Sequence, residues 1–476
     1  MMAPNIIFIL IDDMGWRDLA CYGSPFYDTP NIDRLAAKGM RFTQAYAACP
    51  VCSPTRASIL TGKYPAELGI TNWIDWSGQS HPNRGRLIDV PYVNHLPLSE
   101  HSIAAALSEG GYAAWHVGKW HLGGLQHYPE RHGFQVNIGG WEAGMPVNGY
   151  FSPWEIPTLK DGPVGECLTD RLTDEAIRLI EEHVRRADSP FFLNLWYYAV
   201  HTPIQAKPEL IAKYEQKAKS MGLDMVEAIV EGEHFPAEHK MHLRIQRRVI
   251  QSDPVYAAMI ETVDANIGRL LDTLEHLGIA DDTLVVFTSD NGGLATSEGS
   301  PTCNAPLAEG KGWMYEGGTR EPLLVCWPAV IESGTVCDTV VTSPDFYPTL
   351  LEAAGLALKP EQHRDGVSFL PILKGQVHRN RGPIFWHYPH YGNQGGTPGS
   401  SVRKDDWKLI EFFEDGRLEL YDLHNDVGET RNLVAEETDR AKELHGILVG
   451  WRESVEAKIP QPNPHYSKTE ASAPKP

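Results

Sequence analysis

Apolar positions in the first two-thirds of the chain fall into two alternating patterns. Short, nearly continuous apolar runs, bounded by polar, Gly or Pro residues, predict strands that are covered on both faces. These runs are Asn5–Ile11, Ala113–Val117, Phe191–Tyr197, Leu284–Thr288 and Leu323–Trp327. Amphipathic segments lie between the runs, and this alternation predicts a mostly parallel sheet with helices on both faces.

Two of the amphipathic segments have clear three- and four-residue spacing of apolar side chains. The longer one is Pro254–Leu277, with Asp253 as the predicted N-cap and Gly278 directly after the end. The other is Thr173–Val184. We interpret both apolar faces as core and not as cofactor-binding surfaces.

The pattern changes near Gly382, where the apolar runs become shorter and alternate with polar residues. An antiparallel meander is predicted for the segments Ser401–Lys404, Trp407–Phe413 and Leu418–Leu423. A helix is predicted for Thr438–Lys458, and the Pro/Ser/Lys-rich segment Ile459–Pro476 predicts disorder.

These patterns predict two domains in the 476-residue chain. Residues 1–378 are expected to form an α/β catalytic domain, with a large mixed, mostly parallel sheet between layers of helices. Residues 379–476 are expected to form a small α+β domain, with an antiparallel sheet and a helix, that contributes to the substrate pocket.

Composition and charge narrow the classes of function. The net charge of −20, from 42 basic and 62 acidic residues, argues against a nucleic-acid partner. No run is long and apolar enough to span a membrane, and seven cysteines at irregular spacing are not a disulfide framework. Because Met1–Pro4 is too short for a secretory leader, the expected location is cytoplasmic as the chain stands, and periplasmic or secreted if a leader has been removed.

Ionisable residues follow the ends of four predicted strands, where ligands bind in open α/β sheets. The residues concerned are Asp12, Asp13, Lys119, His121, His201, Asp290 and Asn291. Three converging carboxylates repel one another unless a cation neutralises them. With an amide oxygen beside them, they favour Ca²⁺, or less well Mg²⁺, over zinc. An isolated Asp-Asp pair would equally suit a helix or turn cap.

A further candidate lies in the segment Cys52-Ser53-Pro54-Thr55-Arg56, which opens a predicted helix Pro54–Leu60. Ser53 is a natural N-cap, so Cys52 lies at a helix N-terminus, where backbone N–H groups favour an anion. Arg56 in the first turn is able to reach the same point. On this local pattern alone, a structural cysteine is an equally good explanation.

Together with Ala57-Ser58-Ile59-Leu60-Thr61-Gly62, this segment resembles the signature of the type I, formylglycine-dependent sulfatases of the alkaline-phosphatase superfamily. The resemblance covers nearly the whole chain. Its further landmarks are Thr29-Pro30-Asn31-Ile32-Asp33, Gly118-Lys119-Trp120-His121-Leu122-Gly123, His201-Thr202-Pro203, Asp290-Asn291-Gly292 and Lys311.

The resemblance implies that a formylglycine-generating enzyme converts Cys52 to an aldehyde. The hydrate of this aldehyde would attack the sulfur of a sulfate ester. It also implies that one Ca²⁺ is bound by Asp12, Asp13, Asp290 and Asn291.

Five more residues receive roles from the resemblance. Arg56 and Lys119 would hold the hydrate and offset developing negative charge. His121 would take the proton from the hydrate, and His201 would protonate the leaving alcohol. Lys311 would contact the sulfate beside His201.

Two polar, aromatic stretches are suited to binding sugars by stacking and hydrogen bonding. Their candidate substrate-binding residues are Trp73, Asp75, Trp76, His387, His390 and Asn393. A packed interdomain seam is the alternative interpretation of the same residues.

These stretches resemble bacterial carbohydrate sulfatases near the galactosamine-sulfatase branch. The resemblance implies exo-acting removal of sulfate from galactose or N-acetylgalactosamine in a sulfated mono- or oligosaccharide, with the 4-position preferred. The alternatives are a phosphodiesterase or phosphonate monoester hydrolase of the same fold, and a non-catalytic protein that binds sulfated glycans.

Overall fold

The computed structural model describes residues 3–75, 85–186, 189–376 and 381–466. The strands are β1 Asn5–Ile11, β2 Met40–Tyr46, β3 Leu87–Ile88, β4 Ala113–Gly118, β5 Val136–Ile138, β6 Phe191–Trp196, β7 Ile229–His234, β8 Arg244–Arg248, β9 Thr283–Ser289, β10 Arg320–Cys326, β11 Thr335–Cys337, β12 Val341–Thr342, β13 Ile384–Tyr388, β14 Gly399–Lys404, β15 Trp407–Phe412, β16 Leu418–Asp422 and β17 Gln461–Pro462. The helices are α1 Pro30–Lys38, α2 Cys52–Thr61, α3 Pro65–Leu68, α4 Ile103–Glu109, α5 Leu168–Arg186, α6 Pro208–Ser220, α7 Pro254–His276, α8 Glu316–Thr319, α9 Phe346–Ala353, α10 Leu370–Leu373 and α11 Thr438–Ser454. Within these ranges no helix has the length and apolar character needed to cross a membrane.

A large mixed sheet organises the described part of the chain. Its nine strands include the path β11-β2-β10-β9-β1-β6-β4-β5, and β12 pairs with β2 beside that path. Strand β1 is parallel to both β9 and β6, and β4 is parallel to β6 and β5. Strand β10 is antiparallel to its two neighbours. The predicted mixed, mostly parallel α/β sheet is confirmed.

Both faces of this sheet are buried, as the continuous apolar runs predict. Side chains of β1 alternate between the faces. Ile7, Ile9 and Ile11 pack with apolar residues of α5 and α7, whereas Ile6, Phe8 and Leu10 pack with those of α2, α4 and α9. The two helix layers hold the parallel strands in line, so the carboxyl ends of β1, β4, β6 and β9 share one edge.

The two predicted helices exist with different bounds. Helix α7 ends at His276, and the side chain of Asp253 accepts hydrogen bonds from the backbone N–H groups of Val255 and Tyr256, as predicted for an N-cap. Helix α5 begins at Leu168, several residues before the predicted start. Sequence spacing therefore located both helices. The largest difference between predicted and observed bounds is at the start of α5, which lies more than one turn before the predicted start.

The C-terminal part forms the four-stranded antiparallel sheet β13-β14-β15-β16, with α11 packed on it. The sheet contains β13, which the sequence pattern did not assign as a strand. The proposed domain boundary after residue 378 lies outside the described residues and stays a prediction. The predicted disorder from Ile459 is wrong for Gln461–Pro462, which pairs with β3 as an edge strand.

A buried ion network joins the large sheet to the C-terminal meander. The Lys408 ammonium lies 3.0 Å from Glu316 Oε1 and 3.0 Å from Glu429 Oε1, and all three side chains are fully buried. Tyr46 donates a hydrogen bond of 2.7 Å to Glu316 Oε2. Burial raises the pKa of Glu429 to about 7, because the attraction of Lys408 only partly offsets desolvation. One lysine thus neutralises carboxylates from both parts of the molecule.

Replacing Lys408 should therefore be costly. We expect Lys408→Met to lower the free energy of unfolding by roughly 3–5 kcal/mol, because two buried carboxylates lose their ion pair with this lysine and, among the described residues, only Glu316 keeps another, with Arg320. The measurement is guanidinium unfolding followed by fluorescence.

Lys404 on β14 is the matched control, since its pair with Glu443 is exposed to solvent. Lys404→Met should change the unfolding free energy by less than about 1 kcal/mol. Equal effects of the two substitutions would show that the buried network does not stabilise the seam.

Candidate active site

Cys52 is the first residue of α2, and the whole helix is buried. Val51 occupies the N-cap position, so the predicted N-cap role of Ser53 is wrong. Ser53 lies within the first turn, and its hydroxyl donates to the carbonyl of His121 (2.9 Å) and accepts from the backbone N–H of Ile74 (3.0 Å). The serine therefore connects the helix start to two neighbouring loops.

His121 directs a ring nitrogen toward Cys52. Its Nε2 donates to the carbonyl of Ile74 at 2.7 Å, which leaves the Nδ1 lone pair facing Cys52 Sγ at 3.3 Å. Burial, and then the charge of Lys119, hold the pKa of His121 well below its ordinary value, so the imidazole is neutral. Gly144 lies against the ring, where an added Cβ would be 2.4 Å from Cε1.

The Cys52 side chain is a buried, protonated thiol. Burial raises its pKa, and the attraction of Lys119 and Lys311 offsets this only in part. Because the thiolate is the reactive form of cysteine, the unmodified side chain is a weak nucleophile in this position.

The four predicted metal ligands converge at the carboxyl edge of β1 and β9. Asp290 Oδ1 accepts from the backbone N–H of Asp13 at 3.2 Å, and Asn291 Nδ2 donates to Asp13 Oδ1 at 2.8 Å. Candidate ligand atoms of Asp12, Cys52 and Asp290 lie within 4.8 Å of one another. Within the described residues, Asp12 Oδ1 and Asn291 Oδ1 are buried without a hydrogen-bond partner. Buried oxygen acceptors without donors fit a hard divalent cation.

Three cationic side chains pair with the three carboxylates. Lys119 Nζ lies 2.6 Å from Asp12 Oδ2, and Lys311 Nζ lies 2.7 Å from Asp13 Oδ2. The Arg56 guanidinium binds Asp290 Oδ2 through Nε at 2.8 Å and Nη2 at 2.7 Å. With the carboxylates balanced in this way, a divalent cation would leave the site positive, which suits an anionic group.

The two aspartates of the pair differ in their tendency to ionise. Burial raises the pKa of Asp12 well above its ordinary value, although Lys119 opposes the shift. For Asp13, the attraction of Lys311, His201 and Lys119 outweighs the cost of burial and lowers the pKa. A cation beside Asp12 would favour its ionised form.

His201 lies beside Asp13 on the Lys311 side of the site. Its Nδ1 donates to the carbonyl of Thr202 at 2.8 Å, and Nε2 lies 3.6 Å from Asp13 Oδ2. Burial, and then the charge of Lys311, lower its pKa to about 3. A role as proton donor therefore requires the negative charge of a bound ester to raise this pKa.

The two predicted sugar-binding stretches meet next to α2. Thr71 Oγ1 and His390 Nε2 are 2.8 Å apart, and Tyr388 donates to Asn72 Oδ1 at 3.2 Å. Trp73 is half-buried and packs on an apolar cluster that includes Tyr388. Asp75 is also half-buried, and Trp76 lies outside the described residues.

The histidines of the second stretch have protein partners in place of the free nitrogens expected for sugar binding. His387 is hydrogen-bonded to Ser400 Oγ (2.6 Å) and to the carbonyl of Lys458 (3.0 Å). His390 is fully buried between Thr71 and Asp89. The backbone carbonyl of Asn393 accepts from Lys240 Nζ at 2.8 Å. His387 thus connects β14 to the backbone at Lys458, and His390 connects the side chains of Thr71 and Asp89.

Several residues at the site were not predicted from the sequence. The carbonyl of Ile74 sets the tautomer of His121, and the Trp196 ring lies 5.2 Å from the Arg56 guanidinium carbon. Glu321 on β10 is buried, and within the described residues neither carboxyl oxygen has a partner. Burial, and then Asp290 and Asp13, raise its pKa well above the ordinary value. Glu321 comes just before the apolar run Leu323–Trp327, and no local pattern marks it as part of the site.

The buried Cys52, its neutral base, the oxygen donors and the surrounding cations define a hydrolase site for an anionic ester. Two family models match the chain. Residues 4–356 match the sulfatase family, and residues 309–452 match the C-terminal region of N-sulphoglucosamine sulphohydrolase.

Relatives and solved structures agree with this class. A sulfatase of Formosa agariphila is 33% identical and is matched over 94% of this chain and 88% of its own. The N-acetylgalactosamine-6-sulfatase of Mus musculus is 32% identical over 81% of this chain and 68% of its own. The crystal structure of Ps i-CgsB in complex with k-i-k-neocarrahexaose has a TM-score of 0.74 and 29% identity, covering 98% of this chain and 96% of that one. The chain belongs to the sulfatase family and is a sulfuric ester hydrolase.

The oxygen cluster makes a specific prediction about metal binding. We expect Asp290→Asn to weaken Ca²⁺ binding by at least roughly tenfold, because a charged donor is lost from the site. Calorimetric titration of the chelator-treated protein, together with the rise in Tm on adding Ca²⁺, measures this without recourse to activity.

Asp282→Asn is the matched control, because Asp282 is exposed just before the opposite end of β9. It should leave both readouts unchanged. Unaltered Ca²⁺ affinity in Asp290→Asn would exclude Asp290 as a ligand.

Proposed function

We propose that this protein is a formylglycine- and Ca²⁺-dependent carbohydrate sulfatase that removes sulfate from galactose or N-acetylgalactosamine at chain ends. The observation that carries the proposal is the position of Cys52, at a buried helix N-terminus and 3.3 Å from the neutral Nδ1 of His121. Three cationic side chains surround this point inside a protein whose net charge is −20.

The state of the thiol supports a modified Cys52. Burial keeps the thiol protonated, so a sulfatase reaction here needs a stronger nucleophile. Conversion to formylglycine would supply a hydrated aldehyde with a hydroxyl group at this position. His121 Nδ1 is placed to take the proton of such a group, since its Nε2 proton is held by the carbonyl of Ile74.

Asp12, Asp13, Asp290 and Asn291 would hold the Ca²⁺. The ion would supply Lewis-acid polarisation of a sulfate oxygen. Ca²⁺ is preferred because it accepts irregular sets of oxygen ligands, whereas Mg²⁺ demands near-ideal octahedral geometry. Here the carboxylates are already constrained by Arg56 and two lysines.

The remaining residues position the ester and exclude water. Arg56 and Lys119 are fully buried and offset negative charge near Cys52. His201 Nε2 and Lys311 lie together beside Asp13, which supports a role for His201 at the leaving oxygen and for Lys311 at a sulfate oxygen. An anionic ester bound there would raise the pKa of His201 and make the imidazole a proton donor.

Relatives support a galacto-configured substrate. N-acetylgalactosamine-6-sulfatases of five mammals are 32% identical to this chain. The half-buried Trp73 gives the adjoining segment an aromatic face for a sugar ring. The sequence predicts a sulfate at the 4-position of the sugar. The names of these relatives make a sulfate at the 6-position of galactose or N-acetylgalactosamine the alternative.

The nucleophile position is tested first by mass spectrometry of the tryptic fragment Phe42–Arg56 from the native source. We expect the thiol-to-aldehyde mass change at Cys52 and an unmodified thiol at Cys49. Unmodified thiol at both positions, in a host that matures a control sulfatase, would contradict the formylglycine proposal.

Sulfate release from a sugar panel tests the substrate. We expect release from galactose and N-acetylgalactosamine 4- or 6-sulfate, its loss in Cys52→Ala, and its retention in Cys49→Ala. Release from glucosamine-6-sulfate or iduronate-2-sulfate, with none from the galacto series, would reject the proposed galactose or N-acetylgalactosamine substrate.

The same assays test the alternative functions. Comparable rates on phosphodiesters would support the phosphohydrolase alternative. Binding without turnover, unchanged by Cys52→Ala, would support the glycan-binding alternative.

A further inference from the structure

A second pocket, of about 630 Å³, lies between the β7–β8 hairpin and residues 297–299. Its wall includes the buried ring of Phe235 and the half-buried Lys240, whose ammonium lies 5.3 Å from the ring centroid. His234 and His242 are exposed parts of the wall, and Glu298 belongs to the opposite segment. No role in the sulfate site has been assigned to these five residues.

The hairpin is firmly attached to the loop that carries Lys311. Arg247 on β8 pairs with Glu233 at 2.7 Å and with Glu309 at 2.9 Å, and Glu309 lies two residues before Lys311. The backbone of β8 also bonds to the segment after Asn291, since Arg248 N donates to the Ala295 carbonyl at 2.9 Å. The pocket therefore has a fixed position relative to the active-site loops.

Contacts through Gln394 connect the pocket to the sulfate site. Gln394 Nε2 donates to Glu298 Oε1 at 2.7 Å. The same side chain lies against Gly312, where an added Cβ would be 2.6 Å from Gln394 Oε1. Gly312 follows Lys311, whose ammonium is bound to Asp13. The contacts from Glu298 through Gln394 to Gly312 therefore link the pocket wall to Lys311, on the side of the site to which the proposed function assigns the sugar oxygen.

The chemistry of the wall suits a sugar ring. Phe235 is 5% exposed and adds a small apolar area to the wall, and the polar groups around it offer hydrogen bonds to hydroxyls. Neither His234 nor His242 has a hydrogen-bond partner for its ring among the described residues. The cations Lys240 and Arg244 are matched by Glu298 and Glu231, so the pocket lacks the excess positive charge that a second sulfate group would require.

We propose that this pocket is a subsite for the sugar unit next to the sulfated terminal sugar, and that it accepts an unsulfated pyranose. The inference rests on the proposed function. It makes the natural substrate an oligosaccharide, with the second ring bound between Phe235, the two histidines and Glu298.

The test compares a sulfated galactose monosaccharide with a trisaccharide that carries the same sulfated terminal galactose. We expect the wild-type protein to have a higher kcat/KM for the trisaccharide. The double variant His234→Ala/His242→Ala should have a roughly tenfold lower kcat/KM for the trisaccharide, as expected for two lost hydrogen bonds. Most of this change should be a rise in KM. Its activity on the monosaccharide should be unchanged.

Exposed His424 provides the matched control, and His424→Ala should behave as wild type. A second arm measures calorimetric binding of the desulfated trisaccharide, which does not depend on turnover. Weaker binding of this trisaccharide by the double variant than by His424→Ala would support the subsite. If at the same time none of the sulfated sugars is hydrolysed, the proposed function is rejected and the subsite is not. Equal kcat/KM values for the two substrates in wild type, or equal trisaccharide binding by the variants, would overturn the subsite.

Discussion

Charge balance at one edge of the sheet is the constraint on which the rest of the structure depends. Asp12, Asp13 and Asp290 are buried in the protein interior, where like charges repel strongly. Lys119, Lys311 and Arg56 neutralise them one by one. Each cation comes from a different loop or helix, so the network also fixes where those segments lie.

This balance explains how an acidic protein can bind an anion. The overall charge repels sulfated sugars at long range, but solvent screens it beyond about 10 Å. Inside the site, the three carboxylates are already paired with cationic side chains, so a bound divalent cation would add positive charge that has no counterpart. Under the proposed function, attraction for sulfate would therefore arise within the site and not from the overall charge, which favours specificity over rapid capture.

The sequence predicted most of the large sheet because buried parallel strands are apolar on both faces. Strand β2 was missed because Arg41, Thr43 and Gln44 break its apolar run, and β13 because its aromatic and polar residues suggested a sugar-binding loop. Several candidate site residues, among them Asp12, Lys119 and Asp290, were predicted to lie together because they follow strand ends, and the structure does bring them together. Partners distant along the chain were not predictable. His390, for example, is bound by Thr71, 319 positions away, and no local pattern records such a pairing.

The order in which strands join the sheet has a consequence for synthesis of the protein. Strand β2, directly before the Cys52 segment, pairs with β10, and β1 at the centre pairs with β9. Neither pairing is possible until the ribosome has made residues beyond 283, and such non-local contacts form slowly. Cys52 is enclosed only after that stage, whereas in the finished fold it is 3% exposed. An enzyme that modifies this cysteine therefore meets an open peptide during translation and a closed one afterwards.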